Sequence, residues 1–465
     1  MQATGFDQDG FERWQGLVDK ALKGASIESL QSTSDDGIVL APLYPPSSTQ
    51  PITMRGGGKP WIAAQRIDHP DPQKAQNQTM SELEGGASGL VLVVQGAPTS
   101  LGYGIDMQAL PHILDEVLVD AVRITLEPSA ARARDARSLA AYLNKRSTPN
   151  AHISVDFGLN PPSLLAATGG LRGDGQSTRE AQARHFDELM GHGFKGTVYR
   201  ADGRVIHNAG GNDADELAFM LASLVFAMKS GDDPTLAAQR TTLGVAVDAD
   251  QFAGIAKLRA LRLLHAKVIE AAGLSSFQPN IVAETSARML TKLDPQVNML
   301  RATTAVFAAA VGGADSITAL PFSLALGYPD GFARRTARNT QLVLMEESHL
   351  HQVEDPAAGS GLFEAYTQSL CEKAWQSFQA IEREGGVIDA LVSGSIQANV
   401  RSARAAREMA LKEGKRHLTG TTVFQLETEY KVDLEDVSPV TYALKDGLKT
   451  YCEPLAPAPL EGPIA

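Results

Sequence analysis

Short apolar runs alternate with longer stretches of helical periodicity from residue 61 to residue 322. Runs rich in Val, Ile and Leu predict buried strands, and the segments between them repeat apolar residues at helical spacing, for example over residues 250–272 and 297–310. Eight strands are predicted, over residues 61–67, 89–94, 122–126, 152–156, 196–200, 243–247, 280–284 and 315–320. This alternation is typical of parallel βα units.

Eight βα units over roughly 260 residues favour a TIM (β/α)8 barrel, whose usual length is ~250 residues. A doubly wound open sheet is the alternative, but no glycine fingerprint for a dinucleotide follows any predicted strand. We therefore predict an α/β protein in three parts. These are an N-terminal arm with a helix and an extended segment (1–59), the barrel (60–395), and a helical linker with a proline-rich tail (396–465).

The arm begins with a predicted amphipathic helix, in which Phe11, Trp14, Leu17 and Leu22 recur at helical spacing before Gly24 ends the pattern. A strand-like run follows at residues 37–44. A single amphipathic helix cannot bury its apolar face alone. We therefore expect the arm to lie on the main domain or on a partner chain.

Composition excludes several classes of protein. The chain has 465 residues, 43% of them hydrophobic, and a formal net charge of -12, which disfavours binding to nucleic acid. The two cysteines have no metal-ligand spacing and indicate a reducing compartment. The N-terminal residues do not have the pattern expected of a secretory signal, and no stretch approaches the roughly 20 apolar residues of a membrane helix. We predict a cytoplasmic protein without a nucleic-acid or membrane partner.

The candidate functional residues are those at the carboxyl ends of the predicted strands, where TIM barrels carry their active sites. We assign substrate binding there to Asp156, Arg200, Glu284, Thr285 and Ser286. Each residue by itself is more often a loop cap or a member of an ion pair. The ring of strand ends also contains Arg66, Asp68, Gln95, Glu127, Asn160, Asp248, Asp250 and Pro321.

Among the histidines, His207 is the best candidate for a general acid by its position, although a buried, hydrogen-bonded histidine is the favoured interpretation. His349 and His351 have no third ligand at convincing spacing, so we predict no metal site. Two groups of cations are expected on solvated helix faces. They are Lys257, Arg259 and Arg262 on the helix at 250–272, and Arg334, Arg335 and Arg338 on the helix that follows residue 330.

Several segments resemble methylmalonyl-CoA mutases and related acyl-CoA mutases. They are ARNTQ at 337–341, EES at 346–348, DPAAGSG at 355–361, AKLRALRLLHAK at 256–267, and WQGLVDKALKG and DGIVLAPLY in the arm. The resemblance implies a TIM barrel with CoA threaded along its axis and an arm that wraps a neighbouring subunit. It also implies adenosylcobalamin-dependent rearrangement of an acyl-CoA, such as (R)-methylmalonyl-CoA to succinyl-CoA.

The chain departs from the pattern of catalytic members. Their cobalamin domain carries a D-x-H-x-x-G motif, which these 465 residues lack. Their ATMYAFRPWTIRQYAG segment contains an active-site tyrosine, and ITMRGGGKPWIAAQRID here places Arg55 at that position. Their GYHMQEAG histidine falls about two positions from His207 in VIHNAGG. VDFGLNP replaces their IQND, and Leu320 and Leu324 replace polar residues of HTNSLDEA.

The resemblance with these departures implies the small, non-catalytic subunit of a heterodimeric mutase, with catalytic residues unassigned on this chain. Its partner would be a catalytic large subunit or a second copy. Adenosylcobalamin would be bound by another chain or domain and not by this one, and acyl-CoA would be the substrate of the holoenzyme. One alternative is the substrate-binding chain of a split mutase with a separate cobalamin-binding chain. Another is a CoA-binding or chaperone-like module without chemistry.

Overall fold

The computed structural model describes residues 10–56, 58–428, 430–440 and 448–462. Eight parallel strands form a closed barrel in the order of the sequence, and the last strand pairs with the first through Ser316 opposite Ile62. The predicted TIM barrel and all eight of its strands are confirmed. The strands are β1 Ile62–Ile67, β2 Gly89–Val93, β3 Arg123–Glu127, β4 Ser154–Leu159, β5 Lys195–Asp202, β6 Thr241–Val247, β7 Asn280–Thr285 and β8 Ser316–Thr318.

Helices surround the barrel and cover its outer face. α8 is buried on nearly every side because it lies between the barrel and α13, which also packs on α10. The helices are α1 Phe11–Leu22, α2 Pro72–Glu84, α3 Leu110–Ile113, α4 Arg132–Leu143, α5 Pro161–Thr168, α6 Gly175–Met190, α7 Arg204–Asn208, α8 Asp213–Met228, α9 Pro234–Gln239, α10 Gln251–Ala271, α11 Val297–Val311, α12 Gly331–Leu342, α13 Gly361–Arg383, α14 Val387–Ser393 and α15 Ser395–Lys412.

The prediction of a solvated basic face on α10 is wrong. Lys257, Arg259 and Arg262 are all buried, because α8, α11 and α13 pack around this helix. Burial of a cation requires a partner, and each of the three has at least one carboxylate: Asp213 and Glu216 for Lys257, Asp355 and Glu364 for Arg259, and Asp315 for Arg262. Phe252 and Leu263, which are apolar residues of the same helix, are exposed.

The basic half of α12 is likewise largely buried. Arg334 forms an ion pair with Asp68 at 2.8 Å, and Arg338 forms one with Glu82 at 2.7 Å. Only Arg335 of the three arginines is exposed, as predicted. α12 therefore contacts the barrel through the ion pairs of Arg334 and Arg338, two residues that the sequence analysis predicted to be solvated.

The arm is held to the barrel by the Asp355 turn. Asp355, in a left-handed conformation with φ of 44°, accepts a hydrogen bond from the Ile52 amide at 2.8 Å and pairs with the buried guanidinium of Arg259. The predicted helix of the arm is present as α1, and its Leu17 is 58% exposed. One buried carboxylate thus joins the arm, α10 and the loop before α13.

The C-terminal segment 448–462 returns across the carboxyl end of the barrel. Lys449–Thr450 pairs with Gly170–Leu171, and the Leu455 and Leu460 amides donate to the carbonyls of Ala166 and Arg288. Within the described residues, none of the helices is both long enough and apolar enough to cross a membrane. The division of the chain at residues 59 and 395 stays a prediction.

We expect Arg259→Ala to lower the free energy of unfolding by roughly 3–5 kcal/mol, because it leaves the buried Asp355 carboxylate without its cation. Urea unfolding followed by circular dichroism measures this loss. The control is Lys267→Ala on the same helix, whose ion pair with Glu270 is exposed and should change the stability by less than about 1 kcal/mol. Equal stabilities for the two variants would contradict the assignment.

Candidate functional site

Buried charges fill the carboxyl end of the barrel, where a TIM barrel carries its active site. Four arginines and five carboxylates meet there, and each of these residues is between 0 and 7% exposed. We call this group the mouth network. Its members are Arg66, Arg200, Arg204, Arg334, Asp68, Glu127, Asp156, Asp202 and Glu284.

One half of the mouth network is organised by Arg200 and Arg204. Arg200 bridges Glu127 at 2.6 Å and Asp156 at 2.7 Å, and so joins β3, β4 and β5. Arg204 contacts the same Glu127 oxygen at 2.8 Å and Asp202 at 2.5 Å. The two guanidinium groups therefore share one carboxylate, and both are neutralised by carboxylates of the same chain.

The other half is organised by Arg66 at the end of β1. Its guanidinium contacts Asp68 and Glu284, both at 3.2 Å, and donates to the Thr99 carbonyl at 2.8 Å. Glu284 also lies 3.3 Å from Arg204, which links the two halves into one network. The charges thus form a continuous path across the barrel from α12 to β4.

The ionisation of the carboxylates depends on these arginines. Burial by itself would raise the pKa of Glu127, but the charges of Arg200 and Arg204 outweigh it and lower the pKa to about 2. Burial likewise opposes ionisation of Asp68, and Arg334 and Arg66 lower its pKa to about 2. Both acids are anions at neutral pH only because their cations are present, and neither is suited to be a general acid.

Side chains also close the lumen at its amino end. Arg123 donates to Asn280 at 3.2 Å, Asn280 donates to Thr242 at 2.8 Å, and the hydroxyls of Thr242 and Thr197 lie 2.7 Å apart. Nearer the mouth, Ala64, Val91, Val93 and Ala97 form a small apolar cluster beside β1 and β2. The barrel interior is therefore occupied by side chains of this chain.

A cavity of about 340 Å³ remains above the mouth network, and we call it the mouth cavity. Of the predicted substrate-binding residues, Arg200 and Glu284 line it, while Asp156 is fully buried and holds Arg200. The C-terminal segment and the preceding described residues cover it through Val440, Leu455 and Pro457. The cavity is lined by residues at the carboxyl ends of the strands, in the loops that follow them and in the C-terminal part of the chain.

Thr285 and Ser286 do not line the mouth cavity and have structural partners. The Thr285 hydroxyl accepts from the Leu320 amide at 2.8 Å, and the Ser286 hydroxyl lies 2.8 Å from Nε2 of His207. His207 is fully buried, as the sequence interpretation favoured, and burial together with Arg288 and Lys257 places its pKa well below the usual range. It is held as a neutral, structural histidine.

Arg55 lies at the opposite end of the barrel from the mouth network. Its guanidinium donates to the Ala314 carbonyl at 2.7 Å and lies 5.7 Å from the ring centre of Trp61, both just before strands β8 and β1. Arg55 therefore closes the amino end of the barrel. In the same sequence segment, the residue that reaches the mouth is Arg66.

The sequence analysis did not identify Asp202 and Arg204 as residues of the site. β5 continues two residues beyond its predicted end, so Asp202 is its last residue and Arg204 begins α7. A signal was present: residues two apart on a strand point to the same side, so the alternation of Arg200 and Asp202 indicated one inward face. By contrast, no local sequence pattern predicts the contact between Thr99, in the loop after β2, and Glu127. The Thr99 hydroxyl donates a hydrogen bond to the Glu127 carboxylate at 2.9 Å.

A second cluster of charges joins α7, α8 and α10. His207, Asp213 and Glu216 bring ligand atoms within 4.8 Å of one another, as a metal site would. The ammonium group of Lys257 lies 2.7 Å from Asp213 and 2.8 Å from Glu216, so it already supplies the positive charge. The arrangement is an internal ion pair with a hydrogen-bonded histidine beside it.

The family model described as methylmalonyl-CoA mutase matches residues 197–453. The "Methylmalonyl-CoA mutase small subunit" of Streptomyces virginiae is 34% identical over 461 residues, covering 93% of this chain and 73% of the relative. The protein of the same name from Propionibacterium freudenreichii subsp. shermanii is 30% identical over 89% of this chain and 68% of the relative. The "Methylmalonyl-CoA mutase" of Escherichia coli is 25% identical over 92% and 66%.

We expect Arg204→Met to lower the free energy of unfolding by roughly 3–5 kcal/mol near neutral pH, because three buried carboxylates lose their shared cation. The wild type holds the pKa of Glu127 near 2, below its ordinary value of 4.5, so its stability is present above about pH 5 and is lost as the pH falls towards 2. In the variant the carboxylates take up protons at higher pH. The stability difference should therefore be largest near pH 7 and smaller near about pH 4.5.

Urea unfolding at the two pH values tests this dependence. The matched control is Arg401→Met, because the Arg401–Glu453 pair is half exposed and should contribute less than about 1 kcal/mol at either pH. If the stability difference between Arg204→Met and the wild type is the same at both pH values, the loss of stability does not come from ionised carboxylates, and the prediction is wrong.

Proposed function

The chain belongs to the methylmalonyl-CoA mutase family, and we propose that it is the non-catalytic small subunit of a mutase whose catalytic large subunit converts methylmalonyl-CoA to succinyl-CoA. Relatives that it matches over most of their length are named small subunits. The observation that carries the proposal is the mouth network, which occupies the end of the barrel where a substrate would react.

A substrate threaded along the barrel axis would have to displace this network. Its arginines are fully committed to carboxylates of the same chain, at 2.5–3.3 Å. Breaking one buried ion pair costs roughly 3–5 kcal/mol, since the charge left behind has no water to solvate it. Displacing several pairs together would exceed what an acyl group could return by its own contacts. The network therefore favours a scaffold over a substrate channel.

The substitution pattern at the mouth supports the same conclusion. When ITMRGGGKPWIAAQRID is aligned with the family segment on Pro60 and Trp61, the tyrosine of the RQYAG part corresponds to Arg66. The structure places Arg66 at the barrel mouth, in ion pairs with Asp68 and Glu284. We therefore propose that the lost aromatic position is Arg66 and that Arg55 is a structural residue of the amino end.

The family histidine is replaced in a similar way. Aligned on Ala209 and Gly210, the histidine of GYHMQEAG corresponds to Val205, two residues before His207. Val205 lines the mouth cavity, whereas His207 is buried beneath it against Ser286. A valine cannot donate or accept a proton. The chain thus lacks an acid–base group at the position where the family pattern has one.

The residues of this chain do not fit adenosylcobalamin, the cofactor that the family implies. When bound, that cofactor supplies the radicals for the rearrangement. The mouth cavity of about 340 Å³ is near the small end of the ~300–1,000 Å³ range that holds drug-sized ligands, and adenosylcobalamin is much larger than these. We propose that another chain or domain binds both the cofactor and the acyl-CoA.

The arm supplies a surface for the partner chain. Leu17 of α1, Leu30 and Val39 are each between 45 and 58% exposed, so the arm presents apolar side chains to solvent. Clustered exposed apolar residues mark interaction surfaces. We propose that this surface contacts the large subunit. Cys371 and Cys452 are free thiols, which is consistent with a cytoplasmic location.

The mouth cavity leaves the split-mutase function as a second candidate. It retains Arg200 and Glu284 on its wall, so a small ligand could lie there without entering the barrel. In that case this chain would hold substrate and a separate chain would hold the cobalamin. The two candidates differ in what must be added before turnover begins.

We expect the purified chain to show no conversion of methylmalonyl-CoA with adenosylcobalamin alone, because Arg66 and Val205 stand where the family motifs carry a tyrosine and a histidine. Chromatographic assay of succinyl-CoA measures the conversion. Adding a mutase chain that carries both a barrel and a D-x-H-x-x-G motif should give an active complex. The control is that large chain by itself.

Two outcomes would overturn the scaffold function. One is turnover by the chain without any partner. The other is turnover after addition of a cobalamin-binding domain that lacks a barrel, which only the split-mutase function predicts.

We expect Leu17→Glu to weaken the complex with the large subunit by roughly tenfold or more, because it places a charge in an apolar contact. Analytical ultracentrifugation of the mixed chains measures the dissociation constant. Lys267→Gln on α10, outside the arm, changes the net charge by the same amount and should leave the constant unchanged. Identical constants for both variants would place the interface elsewhere.

A further inference from the structure

A second and larger cavity, of about 520 Å³, lies on the outer side of the barrel between α4 and α6. We call it the outer cavity. Its charged wall is entirely basic and includes Arg132, Arg134, Arg137, Arg172 and His185. The rest of the wall combines apolar side chains with hydroxyls and an amide: Ala130, Ala131, Ala133, Leu159, Pro161, Ala181, Ser177, Thr178 and Gln182, together with Gly173.

Two of these arginines have no counter-ion. Across the described ranges, neither Arg132 nor Arg172 forms an ion pair or a hydrogen bond through its side chain. Burial and the nearby charge of Arg172 lower the pKa of Arg132 to about 10, so a protein group does not neutralise it. Arg137 differs, since it pairs with Glu188 at 2.9 Å. The outer cavity therefore holds uncompensated positive charge, although the chain as a whole is acidic.

Two further features of the outer cavity point to a ligand. α4 begins at Arg132 without any side-chain cap, so the positive end of its dipole faces the same region. Gln182 is 4% exposed and lines the outer cavity, and its side-chain oxygen has no hydrogen-bond partner among the described residues. A buried polar group without a partner is costly unless a ligand or water satisfies it. The helix dipole favours an anion, and the Gln182 oxygen, which is an acceptor, requires that the ligand also carry a donor such as a hydroxyl or amino group.

We propose that the outer cavity binds a phosphate-bearing small molecule. A phosphate monoester carries about −1.5 to −2 charges near neutral pH, which matches the two uncompensated arginines, and guanidinium groups bind phosphate with paired hydrogen bonds. The volume exceeds that of a phosphate group and lies in the ~300–1,000 Å³ range of small-molecule sites. Leu159, Pro161 and the alanines offer an apolar wall for the remainder of the ligand.

This inference is independent of the small-subunit function. Arg132 lines both cavities, but the other charged residues of the outer cavity belong to α4, α6 and the segment between α5 and α6. None of them is a member of the mouth network. The outer cavity can therefore bind its ligand whether or not the barrel takes part in catalysis.

Isothermal titration of the full chain with inorganic phosphate, pyrophosphate and ADP tests the proposal. We expect saturable binding of at least one probe, weakened roughly tenfold or more in Arg132→Gln and in Arg172→Gln, since each removes a charge-assisted contact. Arg335→Gln on α12 removes an exposed charge outside the cavity and should bind like the wild type. Tighter binding of ADP than of pyrophosphate would identify a nucleotide-like ligand, and equal binding would identify a free polyphosphate.

Thermal unfolding separates loss of binding from loss of folding. In phosphate-free buffer, Arg172→Gln should unfold at the wild-type temperature or above it, because the substitution relieves repulsion with Arg132. Added pyrophosphate should raise the unfolding temperature of the wild type and not that of the variant. Absence of saturable binding for all three probes, or equal binding by the wild type and both cavity variants, would overturn the proposal.

Discussion

Mutual neutralisation of buried charges at the carboxyl end of the barrel is the constraint on which the other features depend. Arg200 joins three strands by pairing with Glu127 and Asp156, and Arg66 extends the contacts towards α12 through Asp68. Low surrounding polarity makes each pair strong and each unpaired member costly. The strands must therefore keep their relative positions, and the lumen that they enclose remains filled.

This constraint bears on the proposed function of the barrel as a scaffold. The helices and the strand order depend on apolar packing, which is unaffected by what lies at the mouth. In the proposed correspondence, the mouth has Arg66 and Val205 where the family motifs carry a tyrosine and a histidine. Asp68 and Glu284 neutralise Arg66 there. Such a barrel can stabilise a partner chain through contacts at its surface, and this is the basis of the proposed small-subunit function.

Buried ion pairs also hold elements together outside the barrel. Asp355 joins the arm to α10 through Ile52 and Arg259, and Lys257 neutralises Asp213 and Glu216 between α8 and α10. The outer cavity differs, since Arg132 and Arg172 on its wall lack carboxylate partners among the described residues. These two unpaired charges on the wall of one cavity are a reason to infer a ligand there.

The sequence by itself determined the eight strands, their parallel arrangement and the family, because apolar periodicity and short motifs are local properties. It also indicated that His207 is buried. It did not determine the burial of Lys257, Arg259 and Arg334. These residues were predicted to be solvated, and they are buried. Their partners lie far along the chain, as Asp68 does from Arg334. Only closure of the barrel brings these residues together, and their energies depend on that proximity and on the exclusion of water.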